Sequence, residues 1–289
     1  FGYLSLFTSV ITIAAVVSTG RYELAIGIPK SNKDSLSIFN LIIIIGGIIS
    51  TIYLIIIFFF NKIFKLEILD GLFLKSWIYV APVYIFLIAI LSAMIYWLQR
   101  NKLYKKITFI NALQVILTTI FSLVLGFFDI QSGMIISLVL AVFIVVLFII
   151  LTEKELYRAI GDFKDIRLQA ENFSNFPKFA LLSDLSISIS QQFIPILFSV
   201  LYSTTIVGFY SMANRMLRLP NIVITNAIGN VFRNDAIDEI RKSGNCAVIY
   251  RNTFRKLVII SFPIYLILFM ISPYLFDQVF GNQWREAGV

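Results

Sequence analysis

LIIIIGGIISTIYLIIIFFF, at residues 41–60, decides the fold class of this chain of 289 residues. The run is close to the roughly 20 residues that a helix needs to cross the hydrocarbon core of a membrane. It does not alternate between apolar and polar residues, as the strands of a membrane barrel do over about ten residues. It therefore predicts a transmembrane helix. Eight apolar windows of this kind are found, at 1–19, 36–60, 76–98, 107–128, 134–151, 179–202, 207–232 and 257–276.

The composition excludes a soluble globular protein. Hydrophobic residues make up 59% of the chain, charged residues 14%, and the mean hydropathy is +0.89. The chain has no His and one Cys, Cys246, which excludes histidine acid–base chemistry, histidine metal ligands and intrachain disulfides. The predicted fold class is an all-α integral membrane protein, and no metal or cofactor is predicted.

Basic residues are concentrated in alternate loops. The loops 20–35, 99–106, 152–178 and 233–256 hold eighteen of the 24 Lys and Arg residues. By the positive-inside rule these loops are cytoplasmic. The formal net charge of +8 is therefore interpreted as a topology signal rather than as nucleic-acid binding. This topology puts Phe1 outside, and with no Met at the start it predicts a fragment of a longer protein that lacks its first helix.

A short internal repeat divides the predicted helices into two groups. FGYLSLFTSVIT at 1–12 and VGFYSMANRMLR at 207–218 share a Gly-aromatic-x-Ser opening. Similar halves are a feature of secondary transporters. We predict an N-terminal bundle at 1–152, a cytoplasmic linker at 153–178 with a short amphipathic surface helix, and a truncated C-terminal bundle at 179–289.

Two arginines lie within the seventh predicted span. Counting about 1.5 Å of rise per residue from Gly208, Arg215 lies about 10 Å and Arg218 about 15 Å into the membrane. A cation at bilayer depth costs about 2.5–3.5 kcal/mol and normally faces a protein-lined cavity. Pro220 follows and is expected to kink the helix. The pattern predicts that Arg215, Arg218 and Asn214 bind an anionic substrate; the alternative is that the arginines snorkel or form structural ion pairs.

The sixth predicted span carries a second set of polar residues. Asp184, Gln191 and Pro195 fall on one helical face, which a lipid-facing wall would not tolerate. Gln191 and Gln192 suit sugar hydroxyl groups, although glutamine also joins helices to each other. Asp184 is expected either to form an ion pair with Arg218 or to take part in coupling to H⁺ or Na⁺.

A third candidate pair, Arg21 and Glu23, lies in RYELAIGIPKS at 21–31. This stretch follows the first span at its predicted cytoplasmic end. The two side chains are expected to pair with each other or to guard an entrance. An arginine at this depth also serves as an ordinary membrane anchor.

These stretches, together with FPKFALLSDLSISISQQFIPILFS at 176–199 and FGNQWREAG at 280–288, resemble the bacterial flippases of O-antigen and capsule repeat units. That family belongs to a superfamily that includes multidrug and toxin extrusion (MATE) exporters. The resemblance implies two pseudo-symmetric, MATE-like helix bundles with a cationic central cavity. Arg215, Arg218 and Asp184 fall on spans that resemble the cavity-lining ones.

The resemblance also implies a function. The carrier would move undecaprenyl-diphosphate-linked oligosaccharide across the bacterial cytoplasmic membrane by alternating access. Implied partners are the lipid bilayer and the lipid-linked oligosaccharide, with a polysaccharide polymerase and a chain-length regulator as further candidates.

Three functions are therefore considered. The first is this flippase, a transporter and not an enzyme. The second is a cation-coupled multidrug exporter, which should show acidic cavity residues. The third is a membrane glycan polymerase or ligase, which would need a long extracellular loop, whereas the predicted loops at 129–133 and 203–206 are short.

Overall fold

The computed structural model describes residues 2–64, 79–130, 132–153, 156, 162–243 and 245–289. The described residues are predominantly helical and contain no strand. The predicted all-α class is thus confirmed. The first residues of the window 76–98 and part of the predicted linker 153–178 lie outside the described residues.

The described residues form nine α-helices and three short turns. The helices are α1 (Gly2–Ser18), α2 (Asn32–Phe64), α3 (Ala81–Arg100), α4 (Tyr104–Phe127), α5 (Gly133–Thr152), α6 (Phe163–Asn172), α7 (Leu181–Leu201), α8 (Thr204–Ser243) and α9 (Ala247–Phe280). Tyr22–Ala25 and Asn282–Gly288 form 3₁₀ turns. Phe176–Ala180 forms a π-helical turn that leads into α7.

Each predicted window lies on a helix, but some helices run well beyond their windows. The sequence predicts a loop at 233–256, and this is wrong, because α8 continues to Ser243 and α9 begins at Ala247. Hydropathy marks where a chain leaves the hydrocarbon, whereas backbone hydrogen bonds can continue the helix through polar residues. The 40 residues of α8 span about 60 Å, twice the roughly 30 Å of the hydrocarbon core.

Within the part of the chain that the structure describes, six helices are long and apolar enough to cross a membrane: α2, α3, α4, α5, α7 with its preceding turn, and α9. Helix α1 is apolar but shorter. Helix α8 is not one of the six. Because several helices can span a membrane, the chain is a multi-pass membrane protein.

Helix α6 is the amphipathic helix predicted in the linker. Its Ile166 and Gln169 are buried, and its Phe163 is exposed.

Two compact units make up the chain, and each is described by itself. The first comprises residues 3–201, and the second comprises residues 1–2 and 202–289. The predicted bundle and linker boundaries at 152 and 178 stay a prediction.

The first unit has a continuous apolar core. Helix α4 packs along α5, and α2 packs along α3. Trp97 and Ile85 of α3 are fully buried beside other core side chains. A Cβ on Gly46 of α2 would lie 3.0 Å from the Cβ of Ala89, so these small residues allow α2 and α3 to approach closely.

The second unit contains α8, α9 and the C-terminal 3₁₀ turn. The hydroxyl of Tyr265 on α9 donates to the carbonyl of Leu217 on α8 at 3.4 Å. The ring of Phe209 lies 6.0 Å from that of Trp284. The Ser272 hydroxyl donates to the carbonyl oxygen of Gly288, which attaches the terminal turn to α9.

Candidate functional site

A left-handed turn presents Arg21 at the end of α1. Gly20 has φ 57° and Arg21 has φ 62°, a region that costs an L-residue roughly 1–2 kcal/mol. The amide of Gly20 donates to Val17 and that of Tyr22 to Thr19, and the Arg21 amide donates to the Thr19 hydroxyl at 3.3 Å. Strained residues persist where their surroundings hold them, and they concentrate at functional sites.

Arg21 contacts two carboxylates. Its Nη1 donates to Oε1 of Glu23 at 2.9 Å. Its Nε lies 2.7 Å from Oδ2 of Asp184 on α7, but the N–H is not aligned for a hydrogen bond, so this second contact is an ion pair. We call these three residues the Arg21 cluster. The predicted pairing of Arg21 with Glu23 is confirmed, and Asp184 joins them.

Burial differs among the members of the Arg21 cluster. The Glu23 side chain is 3% exposed, whereas Arg21 and Asp184 are 25% and 31% exposed. Burial disfavours the charged form of Arg21, but the hydrogen bond and charge of Glu23, and then the charge of Asp184, outweigh it and raise the guanidinium pKa. Arg21 therefore remains a cation throughout the physiological range.

The Arg21 cluster carries one positive and two negative charges. Oε2 of Glu23 is buried and has no hydrogen-bond partner among the described residues. Glu23 alone is enough to neutralise Arg21, so Asp184 is the surplus anion.

Two further contacts hold the 22–25 turn in place, and neither is predicted from the sequence. The Tyr22 hydroxyl donates to the Ala170 carbonyl of α6 at 3.1 Å; burial raises the pKa of this hydroxyl. Arg100, at the end of α3, donates to the backbone oxygens of Ile26, Pro29 and Lys30 and to the side chain of Asn32.

Helix α6 is attached to the start of α2. Lys33 forms an ion pair with Asp165 at 2.7 Å, and the Gln169 amide donates to Asp34 at 3.2 Å. These contacts place α6 beside the turn that carries the Arg21 cluster.

The polar residues of α7 are mostly on the surface of the helix. Gln191 is exposed, Gln192 and Asp184 are half-buried, and Pro195 is buried. The Ser186 hydroxyl is bonded within the helix, to the carbonyl of Leu182 at 2.8 Å. A role for Gln191 and Gln192 in binding sugars stays a prediction.

Helix α8 carries the other predicted site residues. Arg215 and Arg218 are exposed, and Asn214 is half-buried. Neither arginine has an ion pair within the described part of the chain. The alternative of structural pairing therefore finds no support from those residues. An Asp184–Arg218 pair would connect the two units and stays a prediction.

The sequence model of polysaccharide biosynthesis proteins matches residues 1–288. No curated protein and no solved structure matches the chain significantly. The match covers nearly every residue, including the Arg21 cluster and both arginines of α8. This membrane-spanning chain therefore belongs to the polysaccharide biosynthesis protein family.

Proposed function

We propose that the protein is a flippase that moves undecaprenyl-diphosphate-linked oligosaccharide across the bacterial cytoplasmic membrane by alternating access. It is a transporter in this proposal, and no chemical step is assigned to it. The observation that carries the proposal is the pair of exposed arginines on α8, in a membrane protein of a family that acts in polysaccharide biosynthesis.

The chemistry of the proposed cargo explains why arginines would suit this site. A diphosphate carries negative charge that must be offset when it leaves water. Guanidinium groups bind phosphate oxygens through two parallel hydrogen bonds. Arg215 and Arg218 are three residues apart, and residues at that spacing are neighbours on a helix surface. Both can therefore contact one diphosphate.

The oligosaccharide requires different partners. Sugar hydroxyl groups both donate and accept hydrogen bonds, and amide side chains do the same. Asn214 lies on α8 beside Arg215, and Gln191 and Gln192 lie on α7. We propose these three as sugar-binding residues.

Complementation tests the function. The full-length protein is expressed in a strain that lacks its own oligosaccharide flippase, and surface polysaccharide is measured. We expect the wild type to restore it. Arg218→Ala should lose at least about tenfold in export, since a charged hydrogen bond contributes about 1.5–3 kcal/mol. Arg218→Lys, which keeps the charge, should retain more.

The matched control is Arg255→Ala, which removes an exposed cation from the start of α9. This variant should export at the wild-type level. Full export by Arg218→Ala would remove that residue from the site. Failure of the wild type with several glycans, together with drug resistance in the same cells, would favour the multidrug exporter instead.

A further inference from the structure

Helix α7 is held weakly to the rest of the first unit. Its large apolar side chains, including those of Leu182, Phe193 and Val200, are exposed. Among the described residues, the ion pair between Asp184 and Arg21 is the polar side-chain contact that joins α7 to another element of that unit. The π-helical turn before α7 lies beside the 22–25 turn, so breaking this ion pair would loosen the part of α7 that follows Asp184.

Arg21 holds its two partners with unequal strength. Glu23 is two residues away, buried, and bonded through an aligned hydrogen bond. Asp184 is on a separate helix, partly exposed to water, and its contact with Nε is not aligned. A partly exposed ion pair contributes less than a buried, aligned hydrogen bond, because water screens it and both side chains lose freedom. Asp184 is thus the partner that can be exchanged.

The turn that carries Arg21 is fixed, in contrast to α7. Arg100 holds the chain that follows the turn, and Tyr22 is bonded to α6. An anion that replaced Asp184 would therefore meet an Arg21 already in position, without the cost of ordering a loop.

We propose that Arg21 is a second binding site for a diphosphate group, and that Asp184 occupies it until a diphosphate displaces Asp184 and releases α7. The identity of the anion rests on the proposed function. Asp184 and a phosphate oxygen would both approach the positive end of the Arg21–Glu23 pair. A diphosphate carries more negative charge than one carboxylate, and its oxygens can accept from Nε and a terminal nitrogen together.

Binding of inorganic pyrophosphate provides the first test, with the full-length protein in lipid nanodiscs. Asp184→Asn removes the competing anion and keeps the size of the side chain. It should bind pyrophosphate about 1.5- to 5-fold more tightly than the wild type, since a partly exposed ion pair is the competitor. Arg21→Gln should lose the binding attributed to this site. Glu171→Gln, which removes a carboxylate from α6, should bind as the wild type does.

The sign of the Asp184→Asn effect distinguishes displacement from a structural role. If Asp184 only maintained the fold, its loss would weaken pyrophosphate binding or leave it unchanged, and either result would overturn the proposal. Asp184→Ser provides the same comparison if the Asn variant does not yield folded protein.

The second test measures the release of α7, with spin labels placed outside the Arg21 cluster. Spin labels are attached at Ile28→Cys and Ile187→Cys, two exposed positions in the first unit, in a Cys246→Ser background. Pyrophosphate should lengthen or broaden the distance distribution between the labels. Arg21→Gln should show the broadened distribution without ligand. A distribution that neither change alters would contradict the release.

A parallel experiment with undecaprenyl diphosphate in the nanodisc distinguishes a lipid headgroup from soluble pyrophosphate as the source of the diphosphate. If both ligands shift the label distance, the site accepts the lipid headgroup. If only inorganic pyrophosphate acts, Arg21 binds soluble diphosphate and the proposed cargo is wrong, while the displacement stands. If neither acts, the displacement is wrong, whatever complementation shows.

Discussion

Glu23 and Glu171 each accept a hydrogen bond from an arginine at nearly the same length, 2.9 Å and 3.0 Å. The two pairs differ in their access to water, because the Glu23 side chain is 3% exposed and that of Glu171 is 64% exposed. A buried bond to a charged group contributes far more than a screened surface pair. The energetic importance of these two glutamates should therefore differ.

We expect Glu23→Ala to lower the free energy of unfolding by about 1.5–3 kcal/mol. Glu171→Ala, the matched control, should lower it by about 0.5 kcal/mol or less, the usual contribution of an i,i+4 pair. Thermal unfolding of both purified variants in detergent would measure the difference. Equal losses of stability would show that burial of Glu23 does not strengthen its pairing with Arg21.

At the scale of elements, the end of α3 controls the loop between the 22–25 turn and α2. The planar guanidinium of Arg100 reaches four acceptors in this loop. A lysine at position 100 would keep the cytoplasmic positive charge that topology requires. Its single nitrogen cannot reproduce the set of hydrogen bonds that the planar guanidinium of Arg100 makes.

Arg100→Lys should therefore loosen residues 26–32 without changing membrane insertion. Loss of one or two hydrogen bonds of about 1 kcal/mol each predicts roughly 5- to 30-fold faster amide exchange in this loop. Hydrogen–deuterium exchange with mass spectrometry would measure it. The control is Lys105→Gln, at an exposed position near the start of α4. Unchanged exchange in Arg100→Lys would mean that the apolar contacts of the loop are sufficient to hold it.

At the scale of the whole molecule, the orientation in the membrane is a prediction from the distribution of Lys and Arg. The chain offers a direct probe, because its one cysteine, Cys246, lies just before α9 and is partly exposed. The positive-inside rule places it in the cytoplasm.

A maleimide that cannot cross membranes should leave Cys246 unlabelled in intact cells and label it after permeabilisation. In a Cys246→Ser background, Ser203→Cys should behave in the opposite way, since this exposed position lies in a predicted outside loop. Labelling of Cys246 in intact cells would reverse the assigned topology. The 22–25 turn and the Arg21 cluster would then face outward.

The sequence singles out Arg21, Glu23 and Asp184 and predicts the pair of Arg21 with Glu23 at the cytoplasmic end of the first span. It offers Arg218, and not Arg21, as the partner of Asp184. Comparison of Asp184 with every charged residue at the cytoplasmic boundary would have added Arg21 as a second candidate.

The sequence by itself determined the all-α class, the membrane location and the existence of each helix. These follow from runs of apolar residues, since a helix satisfies its backbone hydrogen bonds within one continuous segment. Only the tertiary structure decided that Asp184 meets Arg21, that Tyr22 is bonded to Ala170, and that Arg100 holds the 26–32 loop. Those contacts join residues far apart in the chain, and neither apolar periodicity nor loop charge specifies which polar groups will meet when the helices pack.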